Sequence, residues 1–451
     1  MDNLKPTALF LMSPAKGHLN ASFGLARVLL AQSNYSIVYA VPFELHSYVS
    51  QQGFECVLFA GLPFGINGEQ TLDYLSNSQR VKYFDNLIDR FYDTIYNARK
   101  TAIERLIQQT KPQLVLLDSF QSADFILLYP ILKAQNIQFV FVQTMLSFHQ
   151  QADNLPLDCP VVPNQKTNFS WHWQQYYFKR RLRSLWQNII YLGKSNRRII
   201  EQKAKKQGLN EHHLLDYQQS FRVGFANVPE LIVAPQALEF THQKQQYQHY
   251  LGLLVDLERK EPTNESFSLF LNSLPQNKKI IYCSFGTLYA DFGKRKDILR
   301  FFNNLLEVAK KLPDYVFVVS LSESFRKEFS LSTIPFNVYF FEFVPQLTIL
   351  KRSSLFITHG GLNSIRESIA LKVAMLVYPV DLRWDQPSNA AKIEHHGLGL
   401  KGNMAKDNAT ELESKIIQLL HEDIFRQRLS CFTDNNELVA NEGLLKKIAS
   451  E

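Results

Sequence analysis

Residues 343–389 read FVPQLTILKRSSLFITHGGLNSIRESIALKVAMLVYPVDLRWDQPSN, and this stretch decides how the chain folds. Two apolar runs, 355–358 and 374–378, have the length of buried strands. A helix is predicted between them, and His359 begins the glycine-containing turn that joins the first strand to this helix. Strand, turn and helix in this order form the repeating unit of a parallel sheet with helices on both faces.

The same alternation of strand and helix fills two parts of the chain. The predicted strands are 8–13, 36–41, 55–60, 113–118, 138–143, 231–234 and 250–255, and then 279–284, 315–320, 355–358 and 374–378. Helical patterns lie between them, including a long one at 83–109. We therefore predict an α/β protein with two doubly wound parallel-sheet domains. Its ligand should lie at the carboxyl ends of the strands, in the cleft between the domains.

A polar segment at 258–266, ERKEPTNES, is the predicted linker. It divides the chain into a first domain at 1–257 and a second at 258–430, followed at 431–451 by a helix expected to pack back on the first domain. Within the first domain, residues 146–227 stand apart, because they are rich in aromatic residues, Gln and Arg and show little strand alternation.

Composition excludes several classes of protein. Of the 451 residues, 45% are hydrophobic and 20% are charged, which is enough apolar material for large cores and excludes a disordered chain. The apolar runs fall far short of the ~18 residues of a membrane-spanning helix, and the N-terminus lacks the pattern of a signal peptide. Four scattered cysteines without a CxxC motif indicate neither a zinc site nor a disulfide scaffold, so a cytoplasmic location is expected. A formal charge of +7 is mild for this length and does not predict nucleic-acid binding.

The turn after the first strand contains Gly17 and His18. One glycine does not make the three-glycine dinucleotide fingerprint, and no P-loop motif occurs, so a dehydrogenase and a P-loop kinase are disfavoured. At a strand's carboxyl end, His18 can act as a general base, although a solvated histidine at a helix start fits equally.

Asp118 ends another predicted strand and should reach the same sheet edge as His18. A carboxylate there can fix the tautomer of the imidazole, while an aspartate at a strand end also caps helices and forms turns. Asp124 is a weaker rival, because it more simply starts the following helix.

The turn at 359–364 has the composition of a diphosphate site. Glycines allow close approach of the backbone, and the helix start offers free N–H groups and the positive end of a dipole. Glu367 lies about one turn beyond Asn363, within reach of sugar hydroxyls. An ordinary strand-to-helix turn would contain the same residue types.

Taken together, these motifs resemble the signature of the UDP-dependent glycosyltransferases of the GT-B fold, closest to the bacterial macrolide-type branch. The resemblance covers both domains in order, roughly 6–420, and leaves the middle region unmatched. The matching residues are Gly17-His18, Asp118, Ser284-Phe285-Gly286-Thr287, Phe343-Val344-Pro345-Gln346, His359, Gly361, Asn363, Ser364, Glu367, Pro379, Asp385-Gln386 and Asn389-Ala390.

The resemblance implies a role for each matching position. His18 would deprotonate the acceptor hydroxyl, with Asp118 behind it. Phe343 would stack on uracil where the family often has Trp, Gln346 would lie against the base edge and Glu367 would hold the ribose. The diphosphate would be surrounded by His359, Gly361, Asn363, Ser364 and Thr287, and the wider donor set adds Ser284, Gly286, Val344 and Gly360. Asp385 and Gln386 would bind the donor sugar.

Five residues, VDLRW, separate Pro379 from Asp385, two more than in the common pattern, which makes Asp381 a competitor for the sugar. Direct displacement by one nucleophile would invert the anomeric centre. The sequence has no D-x-D motif, so we expect no metal and no cofactor beyond the UDP-sugar co-substrate.

The predicted reaction moves a hexose, most simply glucose, from a UDP-sugar to a hydroxyl of a polyphenol, polyketide, terpenoid or lipid. A nucleotide-sugar epimerase on the same fold and a nucleotide-binding protein without activity are the alternatives. The aromatic and basic run at 169–183 has three interpretations: the wall of an acceptor pocket, a patch that touches anionic lipid, or a packed helix with a solvated basic end.

Overall fold

The structure, a computed structural model, describes residues 5–59, 64, 79–209, 213, 215–220, 223–241, 243–262, 265–286, 294–329 and 334–436. Fifteen strands are numbered along these residues. They are β1 (Thr7–Leu11), β2 (Ser36–Val41), β3 (Glu55–Leu58), β4 (Leu114–Asp118), β5 (Gln138–Gln143), β6 (Leu215–Asp216), β7 (Gly224–Phe225), β8 (Glu230–Ile232), β9 (Gln248–Tyr250), β10 (Lys279–Ser284), β11 (Tyr315–Ser320), β12 (Val338–Phe341), β13 (Ser353–Thr358), β14 (Ala374–Val377) and β15 (Gly399–Lys401).

The helices of the same residues lie between these strands. They are α1 (Lys16–Gln32), α2 (Phe43–Ser50), α3 (Gln79–Tyr92), α4 (Thr94–Thr110), α5 (Asp124–Gln135), α6 (Phe169–Ile190), α7 (Asn196–Lys206), α8 (Glu265–Ser273), α9 (Arg295–Lys311), α10 (Glu323–Arg326), α11 (Gln346–Leu350), α12 (Leu362–Ala370), α13 (Gln386–His396), α14 (Ala409–His421) and α15 (Asp423–Asn436).

Two parallel sheets organise these elements. The first has the order β3-β2-β1-β4-β5-β8-β9, and the second has the order β12-β11-β10-β13-β14-β15. All neighbouring strands within each sheet run parallel. The α/β fold with two parallel-sheet domains is therefore confirmed.

Helices cover both faces of each sheet, which explains why the central strands are apolar along their whole length. In β10, five of the six residues are buried, and in β4 all five are. On α9, the side chains of Ile298, Phe302 and Leu305 recur at helical spacing and pack into the core of the second domain.

Three local predictions differ from the structure. The long helix at 83–109 is two helices, because Asp93 adopts a left-handed conformation (φ 56°) between α3 and α4. The predicted strand at 250–255 keeps only Tyr250, at the end of β9, and two strands at the sheet edges, β12 and β15, were not predicted. Edge strands are short and carry weak patterns, which is why the sequence does not reveal them.

The described part of the predicted linker and the nearby Asp256 contact first one domain and then the other along the chain. Asp256 pairs with Arg27 of the first domain (3.3 Å), and the Lys260 backbone exchanges two 2.9 Å hydrogen bonds with the Gln52 amide. Arg259, which lies between these two positions, forms a hydrogen bond with the second domain. Glu261, which follows Lys260, also forms a hydrogen bond with the second domain.

Just before this segment, the carbonyl of Leu254 lies between helices of the two domains. A Cβ on Gly24 of α1 would stand 2.8 Å from this oxygen, so only glycine lets the chain pass so close. Arg366 of α12 donates to the same carbonyl from the other side. The connection is thus packed between the domains.

At the end of the described chain, α15 packs on the second domain. The Thr433 hydroxyl donates to the Ile369 carbonyl (2.9 Å), and Lys372 pairs with Asp434 (2.9 Å). Residues 437–451, which make up most of the predicted returning helix, lie outside the described residues. Among the described helices, none is long and apolar enough to cross a membrane.

Candidate active site

His18 and Asp118 meet at the carboxyl edge of the first sheet. The parallel pairing of β1 with β4 brings the two strand ends side by side, with Leu11 opposite Leu117. His18, in the first turn of α1, places its Nδ1 2.7 Å from the Asp118 Oδ2 atom. The carboxylate is completely buried, while the imidazole is 21% exposed.

Two backbone N–H groups hold the Asp118 carboxylate. The N–H of Ser13 donates to Oδ2 (3.0 Å) and the N–H of Phe120 donates to Oδ1 (2.9 Å). An ionised carboxylate accepts a hydrogen bond from the protonated Nδ1 of His18, which leaves Nε2 as the basic nitrogen. The pair therefore has the geometry of a histidine base with an orienting carboxylate.

Sequence reasoning missed Thr144, which follows β5 at the same edge. Its Oγ1 lies 3.0 Å from Nδ1 of His18, the same ring nitrogen that Asp118 contacts. The rule that strand ends share an edge would have found it. Asp124, the rival of Asp118, is occupied elsewhere: Arg99 donates to its Oδ2 from Nε (3.0 Å) and NH2 (2.6 Å).

An apolar wall stands beside His18. The ring of Phe120 lies 4.9 Å from the imidazole, and Trp384 of the second domain lies 5.8 Å from Phe120. The buried side chains of Met145, Phe148 and Leu157 complete this cluster. Sequence analysis assigned no residue to the acceptor, because these five come from four distant segments.

Glu367 is the centre of a polar cluster on the second sheet. This carboxylate is completely buried and accepts from Arg259 NH1 (2.7 Å), Asn363 Nδ2 (2.6 Å) and Gln346 Nε2 (2.7 Å). The same Gln346 amide also donates to Ser364 Oγ (3.2 Å). Four residues assigned to the nucleotide are thus brought together. Arg259 of the linker, which sequence reasoning did not identify, neutralises the charge of Glu367.

His359 lies between two glycine turns. A Cβ on Gly286 would stand 3.0 Å from the imidazole Cε1 atom, and one on Gly361 would stand 2.5 Å from Nε2. Gly286 and Gly360 also have positive φ angles, 76° and 86°. Burial lowers the pKa of His359 to about 4, so the ring is neutral at pH 7. A neutral imidazole still donates one hydrogen bond to an anion.

The turn that contains His359 leads into α12, whose N-cap residue is Gly361, which has no side chain to occupy the first N–H groups. A helix start of this kind binds anions. Ser284 ends β10 beside this turn and accepts the Gly286 N–H (3.4 Å). Thr287, the remaining residue assigned to the diphosphate, lies outside the described residues.

Phe343, which was assigned to the base, and Val344, which belongs to the wider donor set, differ in exposure. Phe343 is 37% exposed at the cleft, whereas the Val344 side chain is buried in the core, which leaves only its backbone for a nucleotide. Lys16 of the first domain places its Nζ 6.0 Å from the Phe343 ring and 5.2 Å from the ring of Tyr48. Sequence reasoning identified neither Lys16 nor Tyr48.

Asp385 and Gln386 begin α13. Asp385 is held by Asn389 Nδ2 (2.9 Å), and burial raises its pKa, although the hydrogen bond from Asn389 and the nearby charge of His18 act in the opposite direction. Gln386 Oε1 accepts the N–H groups of Val380 (2.9 Å) and Asp381 (3.0 Å), which closes the longer loop and leaves the amide Nε2 to donate.

Asp381, the competitor, is occupied within its own loop. Its carboxylate receives Nε and NH2 of Arg383, both at 2.8 Å. Among the residues that the structure describes, no group of three or more His, Cys, Asp or Glu side chains is placed to hold a metal ion.

Two parallel-sheet domains with polar residues at facing strand ends define the GT-B class. The solved structures agree over nearly the whole chain. A glycotransferase of kitacinnamycin superposes with a TM-score of 0.68 at 18% identity, covering 98% of this chain and 99% of its own. The spinosyn forosaminyltransferase SpnP gives 0.63 at 17% identity, covering 99% and 100%.

The sequence itself places the chain within a family. Residues 79–433 match the family described as UDP-glucoronosyl and UDP-glucosyl transferase, and the chain belongs to it. An uncharacterised UDP-glucosyltransferase, YojK of Bacillus subtilis (strain 168), is 38% identical over 27% of this chain and 28% of its own. A zeaxanthin glucosyltransferase of Pseudescherichia vulneris is 36% identical over 20% and 21%. The first such relatives are matched over about a quarter to a third of their length.

Proposed function

We propose that the protein transfers a hexose, most simply glucose, from a UDP-sugar to a hydroxyl of a hydrophobic small molecule, with inversion at the anomeric carbon. The single observation that carries this proposal is the 2.7 Å contact between His18 and Asp118, which lies at the cleft opposite Asp385. Such a pair supplies a base to an acceptor that faces the donor sugar.

In the proposed reaction, Nε2 of His18 removes the proton of the acceptor hydroxyl as the oxygen attacks the anomeric carbon. Asp118 and Thr144 hold the imidazole in place, and Asp118 stabilises the imidazolium that forms. The bond from the sugar to the diphosphate breaks on the opposite face, which inverts the configuration.

The leaving diphosphate gains negative charge in this step. The N–H groups at the start of α12 and the neutral imidazole of His359 would donate hydrogen bonds to it. These groups belong to the protein, and we propose that the reaction requires no metal ion.

The proposed donor site follows the polar cluster of the second domain. Phe343 would stack on uracil, and Glu367 would accept the ribose hydroxyls after one of its present partners moves aside. Glucose is supported by relatives whose names state UDP-glucosyltransferase. Asp385 and the Nε2 of Gln386 would contact the sugar.

A hydrophobic acceptor is supported by the apolar wall of Phe120, Trp384, Phe148, Met145 and Leu157 beside the base. One relative is named for zeaxanthin, and one solved neighbour is described in complex with spinosyn aglycone.

Release of UDP from UDP-glucose tests the proposal. We expect release that depends on a phenolic, polyketide or terpenoid acceptor and yields a glucoside with inverted configuration. Release or rearrangement at the same rate without acceptor would favour an epimerase. Stabilisation by UDP without turnover on any acceptor, lipids included, would favour a binding protein.

A pair of histidine variants makes this assay specific. His18→Ala should abolish acceptor-dependent release, whereas His421→Ala, which removes an exposed histidine at the end of α14, should not change it. Equal activity of the two variants would contradict the assignment of the base.

A further inference from the structure

Helix α6 (Phe169–Ile190) has two apolar faces, and the body of the protein uses one of them. Trp173 is 1% exposed, and its Nε1 donates to the Asn154 carbonyl (3.0 Å). From the next turns, Tyr176 donates to the Ser220 carbonyl (2.6 Å) and Tyr177 to Gln150 Oε1 (2.9 Å). This face anchors the helix firmly on the first domain.

The opposite face is a stripe of large apolar side chains that point to solvent. The stripe consists of Trp171, Phe178, Leu182, Leu185, Trp186 and Ile189, each between 43% and 69% exposed. With 100° per residue, these positions fall within about 100° of the helix circumference and extend over about 27 Å. A folded protein does not leave such a stripe in water without a use for it.

Basic side chains border this stripe on both sides. Lys179 and Arg181 project about 80° from its centre in opposite directions, where long cationic chains can reach over an apolar surface. Residues 169–200 contain seven Lys and Arg and no Asp or Glu, a charge equal to the formal +7 of the whole chain. The rest of the sequence is therefore formally neutral.

Some charged groups near the stripe interact with the body of the protein or with each other. Arg180 points to the body, where its NH1 donates to the Gln219 carbonyl (3.0 Å). The half-buried carboxyl of Asp158 is the acidic group that Lys179 and Arg183 face. Asp158 lowers part of the positive potential of Lys179 and Arg183, but no ion pair within the described residues fixes either of them or Arg181 in place.

Further apolar side chains lie where α6 ends. Tyr83 of α3 donates to the Ile190 carbonyl (2.9 Å). Phe91, which is also on α3, has its ring 5.4 Å from Nζ of Lys194. Among the α3 residues whose side chains the structure describes, Phe84, Ile88, Phe91 and Tyr92 are between 49% and 75% exposed. The apolar surface thus widens at the C-terminal end of α6.

We propose that this face of α6 binds the surface of an anionic lipid bilayer. The stripe would enter the boundary between headgroups and acyl chains, with the helix axis in the membrane plane. Lys179, Arg181 and Arg183 would remain among the anionic headgroups, which attract each of them. An apolar stripe, tryptophans and flanking cations on a segment that itself contains no Asp or Glu are the features that such an interface requires.

The proposed membrane binding does not depend on the proposed function, but its consequence for the acceptor does. The anchored face of α6 packs on residues 150–154, between Phe148 and Leu157 of the apolar wall. Membrane attachment would therefore place the acceptor side of the cleft close to lipid, where apolar acceptors accumulate.

The experiment is flotation of the full chain with vesicles of phosphatidylcholine alone and of phosphatidylcholine mixed with phosphatidylglycerol. We expect binding to the anionic vesicles that weakens with salt. Trp186→Glu with Ile189→Glu should lower the partition coefficient more than 100-fold, as roughly expected for two large apolar side chains. Lys179→Gln with Arg181→Gln should lower it about 30-fold.

A matched control carries the same two charges elsewhere. Leu269→Glu with Phe336→Glu changes side chains of the second domain that are 65% and 79% exposed, and should leave the partition coefficient unchanged. UDP affinity and melting temperature report folding for every variant. Because all changed residues are exposed, both should stay at wild-type values.

Three results would overturn the proposal: no flotation of the wild-type chain, equal flotation with neutral vesicles, or equal losses in the control. Self-association of the wild-type chain that the stripe variant abolishes, without vesicle binding, would also overturn it and assign the face to a second copy. Loss of flotation with intact UDP release would separate membrane binding from the transferase activity.

Discussion

The two sheet edges that face each other across the cleft each present a histidine, and the two histidines differ in their partners. His18 has a buried carboxylate 2.7 Å from its Nδ1 and keeps its other nitrogen for a substrate. His359 is enclosed between glycines, and burial lowers its pKa to about 4. In the proposed function the first takes a proton from the acceptor, whereas the second stays neutral and donates one hydrogen bond.

The carboxylates of the two edges differ in the same way. Asp118 is held by backbone N–H groups and serves its histidine. Glu367 is completely buried and accepts from Arg259, Asn363 and Gln346, so a ligand can reach it only if a side chain that covers it moves. If the proposed roles are right, the first edge is preorganised, whereas the second must rearrange to bind a nucleotide.

The largest effect is expected at the first edge. His18→Ala should lower kcat about 10³-fold, because a general base in this position contributes about 10²- to 10⁴-fold. UDP affinity, measured by calorimetry, should stay within twofold of the wild type, since the nucleotide cluster lies on the other domain. An equal loss of UDP affinity would mean that the two edges do not have separate roles.

The second effect concerns the pH dependence of stability and the neutral histidine. The pKa of His359 is about 4 in the folded chain, below the ordinary value of about 6.5. The folded state therefore binds fewer protons, and stability is lost as the pH falls from about 6.5 toward 4, by up to about 3 kcal/mol.

This pH prediction is checked by urea unfolding at pH 7 and pH 5 for the wild type and His359→Gln. The glutamine keeps a donor but has no proton to gain, so its free energy of unfolding should fall less over this range. Identical losses in both proteins would show that other groups cause the pH dependence.

A smaller effect is expected at Glu367. Glu367→Ala should weaken UDP binding about 10- to 100-fold, as estimated for the loss of hydrogen bonds to a charged group. The change also leaves the buried Arg259 with only its 3.4 Å contact to Glu261, which lowers stability. Unchanged UDP affinity would argue against contact with the ribose.

The variant Arg259→Gln separates the effect of the Glu367 carboxylate on UDP binding from the effect of its ion pair with Arg259. It removes the charge that fixes Glu367 without removing the carboxylate, and we expect UDP binding about fivefold weaker with reduced preference for UDP over 2′-deoxy-UDP. Arg259→Lys should recover part of the affinity. Equal weakening for both nucleotides would indicate a purely structural linker residue.

The smallest effect is expected for Thr144→Val, which keeps the shape but removes the oxygen 3.0 Å from Nδ1 of His18. The loss of one neutral hydrogen bond, about 1 kcal/mol, should lower kcat about fivefold and leave KM unchanged. A loss as large as that of His18→Ala would place Thr144 among the groups that move the proton.

Sequence patterns correctly predicted the features that depend on residues close together in the chain. The strand ends, the glycine turns and the helix starts could be read from residues 343–389, and the pairing of His18 with Asp118 followed from their positions at strand ends. The partner of Glu367 could not be found in this way, because Arg259 lies 108 residues away and its side chain reaches the site only through the packing of the linker.

Other misses have equally specific causes. Asp93 breaks a helix without glycine or proline, so the periodic pattern continued across the break. The apolar wall beside His18 combines Phe120, Met145, Phe148 and Leu157 of the first domain with Trp384 of the second, and only the tertiary structure brings these segments together. The exposed stripe of α6 was visible as aromatic and basic composition, but its direction required the contacts of the opposite face.

The alternating contacts of the linker limit how this protein can be recombined with its relatives. A chimera joined between residues 257 and 258 would keep the Asp256 contact to Arg27 but would take Lys260 away from its own Gln52. It would also put a foreign side chain against the Leu254 carbonyl, which Gly24 and Arg366 share. Exchange of donor preference should therefore transfer residues 251–261 together with α1 and α2, so that the crossover lies outside the packed connection.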